Sequence, residues 1–568
     1  MLFSDLAASL DRLEATSKRN ELVAILAELY QASSVEELAP VTYLVQGRLA
    51  PFFVPLEIGL GERLIIAAVA DAYLLSKEEV ASRSRSLGDL GSAVAALFSE
   101  GRSAPAPLNV VEVHARLTEI AGLSGSGSQT RKLSLFAGLI SELDAVSAKH
   151  LVRITTGKLR LGIGDPTVLD ALSLAQAGDR SLRPVLEGAY NRTSDLGFIA
   201  TTLWQSGLSA VADLSVTVGR PLRPQLAERL PSPEAVIAKL GLVGVQPKYD
   251  GFRVQIHVSG SSVSLFSRNL ENYTEMFPEL VAAARSLPSS SLILDGEAIA
   301  YSPESEEYLP FQETMGRRRK LGIEEFAVRA PLRAFIFDVM YRDGVDLTPL
   351  PYSERFEMVK SLVDGSDRLL VAPLTQTDSD VVLREQLLEN ISLGLEGVVC
   401  KRLDSPYQAG ARNFNWVKLK RNTSGQLNDT IDVVLLGYYH GRGKRVELGA
   451  GALLAGVYDA AADTFVTITK IGTGLSDAAW RELYERVRPL EVPHQPARVN
   501  SMLVPDVYLE PAIVAEVLAD EITPSPRHTA GLALRFPRIV SFRSADKRPE
   551  DATSLTEVRE MFEQQRVR

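Results

Sequence analysis

"QPKYDGFRVQIH", residues 246–257, sets a lysine, an aspartate and an arginine around a glycine and runs on into an alternating apolar pattern. Phe252, Val254 and Ile256 recur every second position, which predicts a half-buried strand after the turn. Gly251 permits a turn that a residue with a β-carbon would resist. Two readings of Lys248 follow from the stretch alone. In one the segment is a hairpin carrying two surface cations, and taken alone the stretch slightly favours that. In the other Lys248 is a nucleophile, which must lose its proton and so needs desolvation or cationic neighbours. Arg253 is close enough in sequence to be one such neighbour.

The rest of the chain narrows the choice. Its 568 residues are 45% hydrophobic and 23% charged, an ordinary globular composition with length for three or four domains. The longest apolar run, "LIIAAVADAYLL" at 64–75, is too short for a bilayer and contains Asp71, so a buried helix is expected. The first twenty residues lack a basic stretch followed by an apolar core, so no secretory signal is expected. A single cysteine, Cys400, rules out an internal disulfide and a cysteine zinc site, and the six histidines show no ligand spacing. A reducing cytoplasm fits, with nucleoid association if the host is a prokaryote. The net charge of −10 argues mildly against a polyanion partner, but leaves room for local basic surfaces.

Three textures run along the chain. Residues 1–220 carry leucine, alanine and glutamate at helical spacing, as in "RNELVAILAELYQ" and "ERLIIAAVADAYLL", and predict an all-α domain. "GRPLRPQLAERLPSP" at 219–233 holds four prolines and predicts a linker. From about 240 short alternating runs predict strands: "FRVQIHV", "SVSLFSR", "SLILDGEAIAY" and "LRAFIFDVMY". After "WVKLKR" at 416–421 come "TIDVVLLGYYHG", "GALLAGVYD" and "TFVTITKIG", which predict a small strand-rich barrel. Domains are therefore expected at 1–220, 221–424 and 425–568.

Charged residues recur at the predicted strand ends. "SRN" at 267–269 supplies Arg268, and "LDGEAIAY" sets Asp295 and Glu297 on one strand face. "FIFDVMY" supplies Phe337 and Asp338, and "LEGVVCKR" supplies Glu396. Arg412 and then "WVKLK", with Lys418 and Lys420 on one face, complete the series. Each alone reads as a solvated charge; the ordered set does not.

That ordered set resembles the covalent nucleotidyltransferases, and most closely the ATP-dependent DNA ligases of the archaeal and eukaryotic replicative type. Lys248, Asp250, Gly251 and Arg253 match the K-x-D-G-x-R signature. "SRN", "DGE", "FD", "EGVV", "KLK" and a final "LRFPRIVSFRSADK" at 534–547 follow in the family's order. "SGSGSQTRK" (124–132) and "GKLRLGIGDPTVLDAL" (157–172) extend the resemblance into the helical third.

The resemblance implies a helical DNA-binding domain, an α/β (ATP-grasp-like) adenylation domain and a C-terminal OB-fold β-barrel. It implies that Lys248 attacks the α-phosphate of ATP, that AMP passes to the 5'-phosphate of a nick, and that the 3'-hydroxyl seals the strand. Arg253, Arg268 and Arg412 would bind ribose or phosphates, and Lys418 and Lys420 the α-phosphate region. Glu297 and Glu396 would hold ribose hydroxyls or Mg²⁺, with Mn²⁺ as the alternative ion. Phe337 would stack on adenine, Gln246 stands where many relatives have glutamate, and Arg535 and Lys547 would meet pyrophosphate. Ser126, Ser128, Arg131, Lys132, Lys158 and Arg160 would grip the duplex backbone. Nicked double-stranded DNA is the expected partner of a monomer, a sliding clamp is a candidate second partner, and no membrane is involved.

Capping guanylyltransferases and RNA ligases share the lysine but not the helical third. NAD-dependent ligases need a four-cysteine zinc module. A non-enzymatic DNA-binding scaffold would need no such lysine–carboxylate–arginine set. No P-loop motif occurs.

Overall fold

The computed structural model describes residues 1–98, 106–159, 161–303, 308–309, 313–314, 316–319, 322–393, 395–420, 430–440, 450–472, 475–543 and 547–566. The chain divides into two compact units. One is Met1–Tyr190 with Asp195–Leu214 and His494–Arg498; the other is Asn191–Ser194, Ser215–Pro493 and Val499–Arg568.

The first unit is helical as expected, from Phe3–Glu14 through Leu196–Ala212. Its helices are amphipathic, and leucine, isoleucine and valine faces such as Leu22, Leu26, Leu29 and Ile65, Val69 merge into one buried core. "LIIAAVADAYLL" falls on the helix Glu62–Tyr73, and among the described residues no helix is long and apolar enough to cross a membrane. Asp11, Glu14 and His150 converge in this unit in a way that could suit a metal ion. Lys149 and Arg153 already occupy those carboxylates at 2.7 Å, and Arg153 also reaches Asp89 at 2.7 Å, so the cluster is an ion-pair network joining helices.

The second unit is built on strands. β1 (Leu226–Arg229) and β2 (Val243–Lys248) precede β3 (Phe252–Ser259), β4 (Ser262–Ser267), β5 (Ser291–Ala300) and β6 (Leu332–Arg342), and these last four match the alternating runs of the sequence closely. β7 (Val345–Asp346), β8 (Leu369–Val371), β9 (Thr375–Thr377), β10 (Gly397–Arg402) and β11 (Arg412–Lys420) complete two sheets. One has the order β1-β11-β10-β2-β9; the other has β4-β3-β5-β6-β7, with β8 beside β6.

Two expectations change here. The turn at 249–251 closes no hairpin, because β2 and β3 belong to different sheets, and the turn carries the chain from one to the other. The proline-rich stretch 219–233 is not merely a linker: "LAER" forms β1, an edge strand parallel to β11, and Pro233 opens the helix Pro233–Leu240. The prolines flank the strand instead of interrupting it, so its ladder donors survive.

Beyond 430 the sheet is curled. β12 (Ile431–His440), β13 (Ala450–Asp459) and β14 (Thr464–Ile471) form an antiparallel meander. On the other edge of β12, its first half pairs with β18 (Val514–Leu518) and its second half with β17 (Val507–Leu509), which bends the sheet. β21 (Arg538–Phe542) continues from β18. The expected OB-fold is consistent with this curl. Cys400 lies fully buried on β10, and burial pushes its thiol up to about 12.

Candidate active site

Lys248 is the last residue of β2 and points into a cavity of about 450 Å³ between the two sheets, walled in addition by residues from the curled sheet and the C-terminal helix Leu555–Arg566. Strand register explains which side chains reach it. Lys248 pairs with Gly397 of β10, and Gly397 pairs with Lys420 of β11. Glu396, one residue before Gly397, therefore lies beside both lysines. It forms an ion pair with Lys248, and its Oε1 is 3.5 Å from Lys420 Nζ. The neighbouring row is Gln246, Val399, Lys418 and Arg229. Lys418 and Lys420 thus face the cavity together, as the spacing suggested.

Gly251 allows a close approach, and its φ is not positive. A Cβ there would lie 2.3 Å from the Ala298 carbonyl oxygen of β5. This packing holds the Gly251 N–H 3.3 Å from Glu297, to which it donates. Gly397 needs glycine for both reasons: its φ is +144°, and a Cβ would lie 2.1 Å from the Leu419 carbonyl oxygen.

The electrostatics centre on three carboxylates and one amine. Burial alone would lower the pKa of Lys248, but Glu396, helped by Glu297 and Asp250, outweighs it and leaves the ammonium above its ordinary value. Glu396 is desolvated too, yet Lys248 and Lys420 hold it well below the usual carboxylate range. Glu297 has no such ion pair among the described residues, only the Gly251 N–H. Burial, reinforced by Asp250 and Glu396, pushes it up to about 7 against Lys248 and Arg253. Asp250 is likewise raised by burial and by Glu396.

Arg253 lines the cavity but is already engaged. It takes Asp295 in a two-pronged pair (3.1 and 2.7 Å) and donates to the Gln225 carbonyl at 2.7 Å. Its guanidinium also stands over the rings of Phe337 and Trp416 at about 5.6 and 5.5 Å. It is an internal brace in the cavity wall, and the lysine's pKa is set chiefly by burial and Glu396. Arg268 does line the cavity, and its buried Nε has no hydrogen-bond partner among the described residues.

At the other end of the cavity Gln246 donates to the Ala372 carbonyl at 3.1 Å and accepts from Tyr352 at 2.9 Å. Phe337 from one sheet and Val399 from the other both line the space. Asp338, the partner of Phe337 in "FD", has no access to it. Asp338 is wholly buried in a forked pair with Arg355 and fixes β6 to the helix Tyr352–Val363.

Arg412 lines the cavity and is ion-paired with Glu557 of the helix Leu555–Arg566; Lys418 and Arg229 lie 4.0 Å from the same carboxylate. Although burial raises Glu557, these cations hold it down at about 2. Lys547 and Arg543 share Asp432. Arg535 is not in the site: it ends β20 (Leu532–Arg535), more than half exposed, 3.8 Å from Glu521 in a hairpin with β19 (Glu521–Pro524). Arg543, four residues before Lys547, takes the place expected of it. Asp546 lies outside the described residues.

Asp432, Glu557, Arg229, Trp416 and Lys401 were missed in the sequence. Asp432 had a signal, being a charge near the start of an otherwise apolar run, whereas Lys401 sits beside Arg402 at the end of its strand. Lys401 is buried against Trp416, with its Nζ 4.1 Å from the ring centre, and burial lowers its pKa to about 7. Glu557 had none, since an acid on an amphipathic helix is ordinary.

In the helical unit, Ser126 and Arg131 are exposed at the start of the helix Ser128–Ser141, and Ser128 is its first residue. Lys132 is a correction. It is 8% exposed and its ammonium donates inward to the carbonyls of Ile58 (2.9 Å) and Ala121 (3.3 Å), so it ties a loop to the end of the helix Val110–Gly122 and presents no charge to a phosphate. Lys158 is exposed, 3.3 Å from Glu62, and Arg160 lies outside the described residues.

A lysine among carboxylates in a cation-walled cavity between two sheets is the architecture of a nucleotidyltransferase. The chain belongs to the ATP-dependent DNA ligase family. The family's ATP-dependent DNA ligase domain matches residues 224–420, its N-terminal model 2–173 and its C-terminal region 447–547. The chain is 45% identical to a probable DNA ligase of Dictyoglomus thermophilum, covering 100% of this chain and 98% of the relative. It is 39% identical to a DNA ligase of Acidianus ambivalens, with 100% and 98% covered. Among solved structures it is similar to mycobacterial DNA ligase D complexed with ATP and MES. The match has 26% identity, a TM-score of 0.35, and coverage of 58% of this chain and 97% of that one.

Proposed function

We propose that Lys248 is the nucleophile of an ATP-dependent nick-sealing reaction on duplex DNA. The observation that carries this is the position of Lys248, at a strand end in a cavity whose walls supply Arg268, Arg412, Lys418, Lys420, Arg543 and Lys547. A triphosphate is the ligand such a ring of cations suits, with arginine forking across two oxygens and lysine meeting one. The lysine nitrogen bonds to the α-phosphorus, the α–β bridging bond breaks, and pyrophosphate leaves with that electron pair. AMP then moves to the 5'-phosphate of the nick, and the 3'-hydroxyl displaces it.

Phe337 and Val399 would sandwich the purine, and the Gln246 oxygen would face its exocyclic amine. Mg²⁺, or Mn²⁺ in its place, fits Glu297 and Glu396. Asp250 and Glu396 both raise Glu297, and Glu396 raises Asp250, which is the crowding of negative charge a hard divalent cation would relieve. When bound, the ion would neutralise phosphate charge at the reacting centre. Before that, Glu396 holds the Lys248 ammonium in place, and nucleotide binding must free it to lose its proton. In the helical unit Ser126, Ser128 and Arg131 form a helix start suited to backbone phosphate. The monomeric state and a sliding-clamp partner rest on the family resemblance alone.

Covalent labelling tests the reading. Protein mixed with Mg²⁺ and α-labelled ATP, GTP, ADP or NAD, then denatured, should carry label from ATP that is absent in Lys248→Ala. No label from any nucleotide, with protein that is not already adenylated, would overturn it.

A further inference from the structure

We infer, on the lysine-adenylation reading above, that Asp432 is a positioning residue for the pyrophosphate-releasing step. Its carboxylate fixes Arg543 and Lys547 in the wall of the cavity that Lys248 enters, and so decides where positive charge meets the leaving group.

Asp432 is the second residue of β12, in a run that is otherwise apolar. Strand pairing sets Asp432 opposite Glu516, and Glu516 opposite Ser541, so two carboxylates lie in a row leading to Arg543. Arg543 Nε donates to Asp432 Oδ1 at 2.8 Å, its NH2 group lies 3.1 Å from Glu516, and Lys547 pairs with Asp432 Oδ2. The Asp432 backbone is itself clamped: its N–H donates to Thr553 Oγ1 at 2.9 Å, and the Thr553 N–H donates to its carbonyl at 3.0 Å. Both ends of the carboxylate are thereby fixed before any nucleotide arrives.

Asp432, Arg543, Lys547 and Lys248 all line one cavity, so the carboxylate acts on cations that face the same space as the lysine. Burial lowers Lys547 to about 8 against the pull of Asp432, with Arg268 and Arg543 adding to the lowering. Asp432 therefore also keeps that amine charged where charge is needed. The pair of contacts further explains how Arg543 and Lys547, four residues apart, are delivered to one place: a single carboxylate collects both.

Pyrophosphate is present only in the first chemical step, so the effect must be confined to that step. Asp432→Asn is expected to slow single-turnover labelling from ATP by about 10- to 100-fold, the scale of losing a preorganised charge contact. Pyrophosphate-driven loss of label should slow by the same factor. Sealing of a nicked duplex already carrying a 5'-adenylate should change by no more than about threefold, since none of the preorganised charge is aimed at pyrophosphate there. Equal losses in both steps would make Asp432 merely structural and overturn the inference, as would labelling at the wild-type rate. Should Asp432→Asn not fold, Asp432→Glu keeps the charge but displaces it and carries the same expectation: a loss in labelling alone supports the inference, and equal losses overturn it. A wild-type protein that takes no label from ATP would instead sink the adenylation reading itself.

Discussion

Glu396 and Lys248 form an ion pair across two adjacent strands, the carboxylate pulled well below its usual range and the ammonium pushed above its own. The proposed nucleophile is thus stored, in the nucleotide-free protein, in its unreactive, protonated form. Labelling should therefore quicken as pH rises through the alkaline range. In Glu396→Gln the desolvation of Lys248 is less opposed, so its pKa falls and the alkaline limb should move to lower pH. The pH profile of single-turnover labelling, at one fixed Mg²⁺ concentration, reads this directly; a limb that moves upward would contradict it.

Glu297 should trade stability for activity. Its folded pKa of about 7 lies above the ordinary carboxylate value, mainly through burial. A raised acid favours the folded state fully below its unfolded pKa, and that advantage is lost as pH rises through the folded value. Glu297→Gln should therefore stabilise the nucleotide-free protein at pH 8 by roughly 1–3 kcal/mol, with little effect at pH 4. Thermal unfolding at the two pH values measures it, and labelling from ATP should fall in the same variant.

Gly251 is required by contact, not by an unusual dihedral angle. A methyl group there would press on the backbone oxygen of Ala298, which cannot swing aside as a side chain could. Gly251→Ala should destabilise the protein by about 1–3 kcal/mol and slow labelling, because the turn that aims Lys248 and meets Glu297 must move. Unchanged unfolding and labelling would show that the turn tolerates the shift.

The two cations of "TRK" should separate cleanly. Arg131→Ala should lower the slope of log affinity for nicked DNA against log salt by about one, the release expected for one phosphate contact. Lys132→Met should leave that slope alone but cost about 1–3 kcal/mol of stability, since the carbonyls of Ile58 and Ala121 lose their donor. Salt titrations of DNA binding, beside thermal unfolding, distinguish the two.

Much of this was legible in the residues. Period-two alternation located β3 to β6 and β12 to β14, and helical spacing located the N-terminal unit, because in each case one face is buried and the pattern records it. Lys248, Glu297, Phe337, Glu396, Arg412, Lys418 and Lys420 all reach one cavity, as their order along the chain suggested. What sequence could not supply was the pairing of charges over long separations. Arg253 reads as a ribose or phosphate ligand but is engaged by Asp295, Lys132 reads as a duplex contact but donates to two carbonyls, and Arg535 reads as a pyrophosphate contact but stands exposed at the end of a hairpin strand. Asp432 lies more than 100 residues from Arg543, and Glu557 more than 100 from Arg412, so only the folded sheets bring each pair together.

Cys400 sits at zero exposure on β10, and it is the one sulfhydryl in 568 residues. With a thiol pushed up to about 12 it is closed to maleimides and mild oxidants while the protein is folded. The wild-type chain therefore serves as its own silent background for spectroscopy. A cysteine introduced at an exposed position in each unit would take a fluorophore there alone. The distance between the two units could then be followed through the catalytic cycle without first removing a native residue from the strand that carries Glu396 to its place.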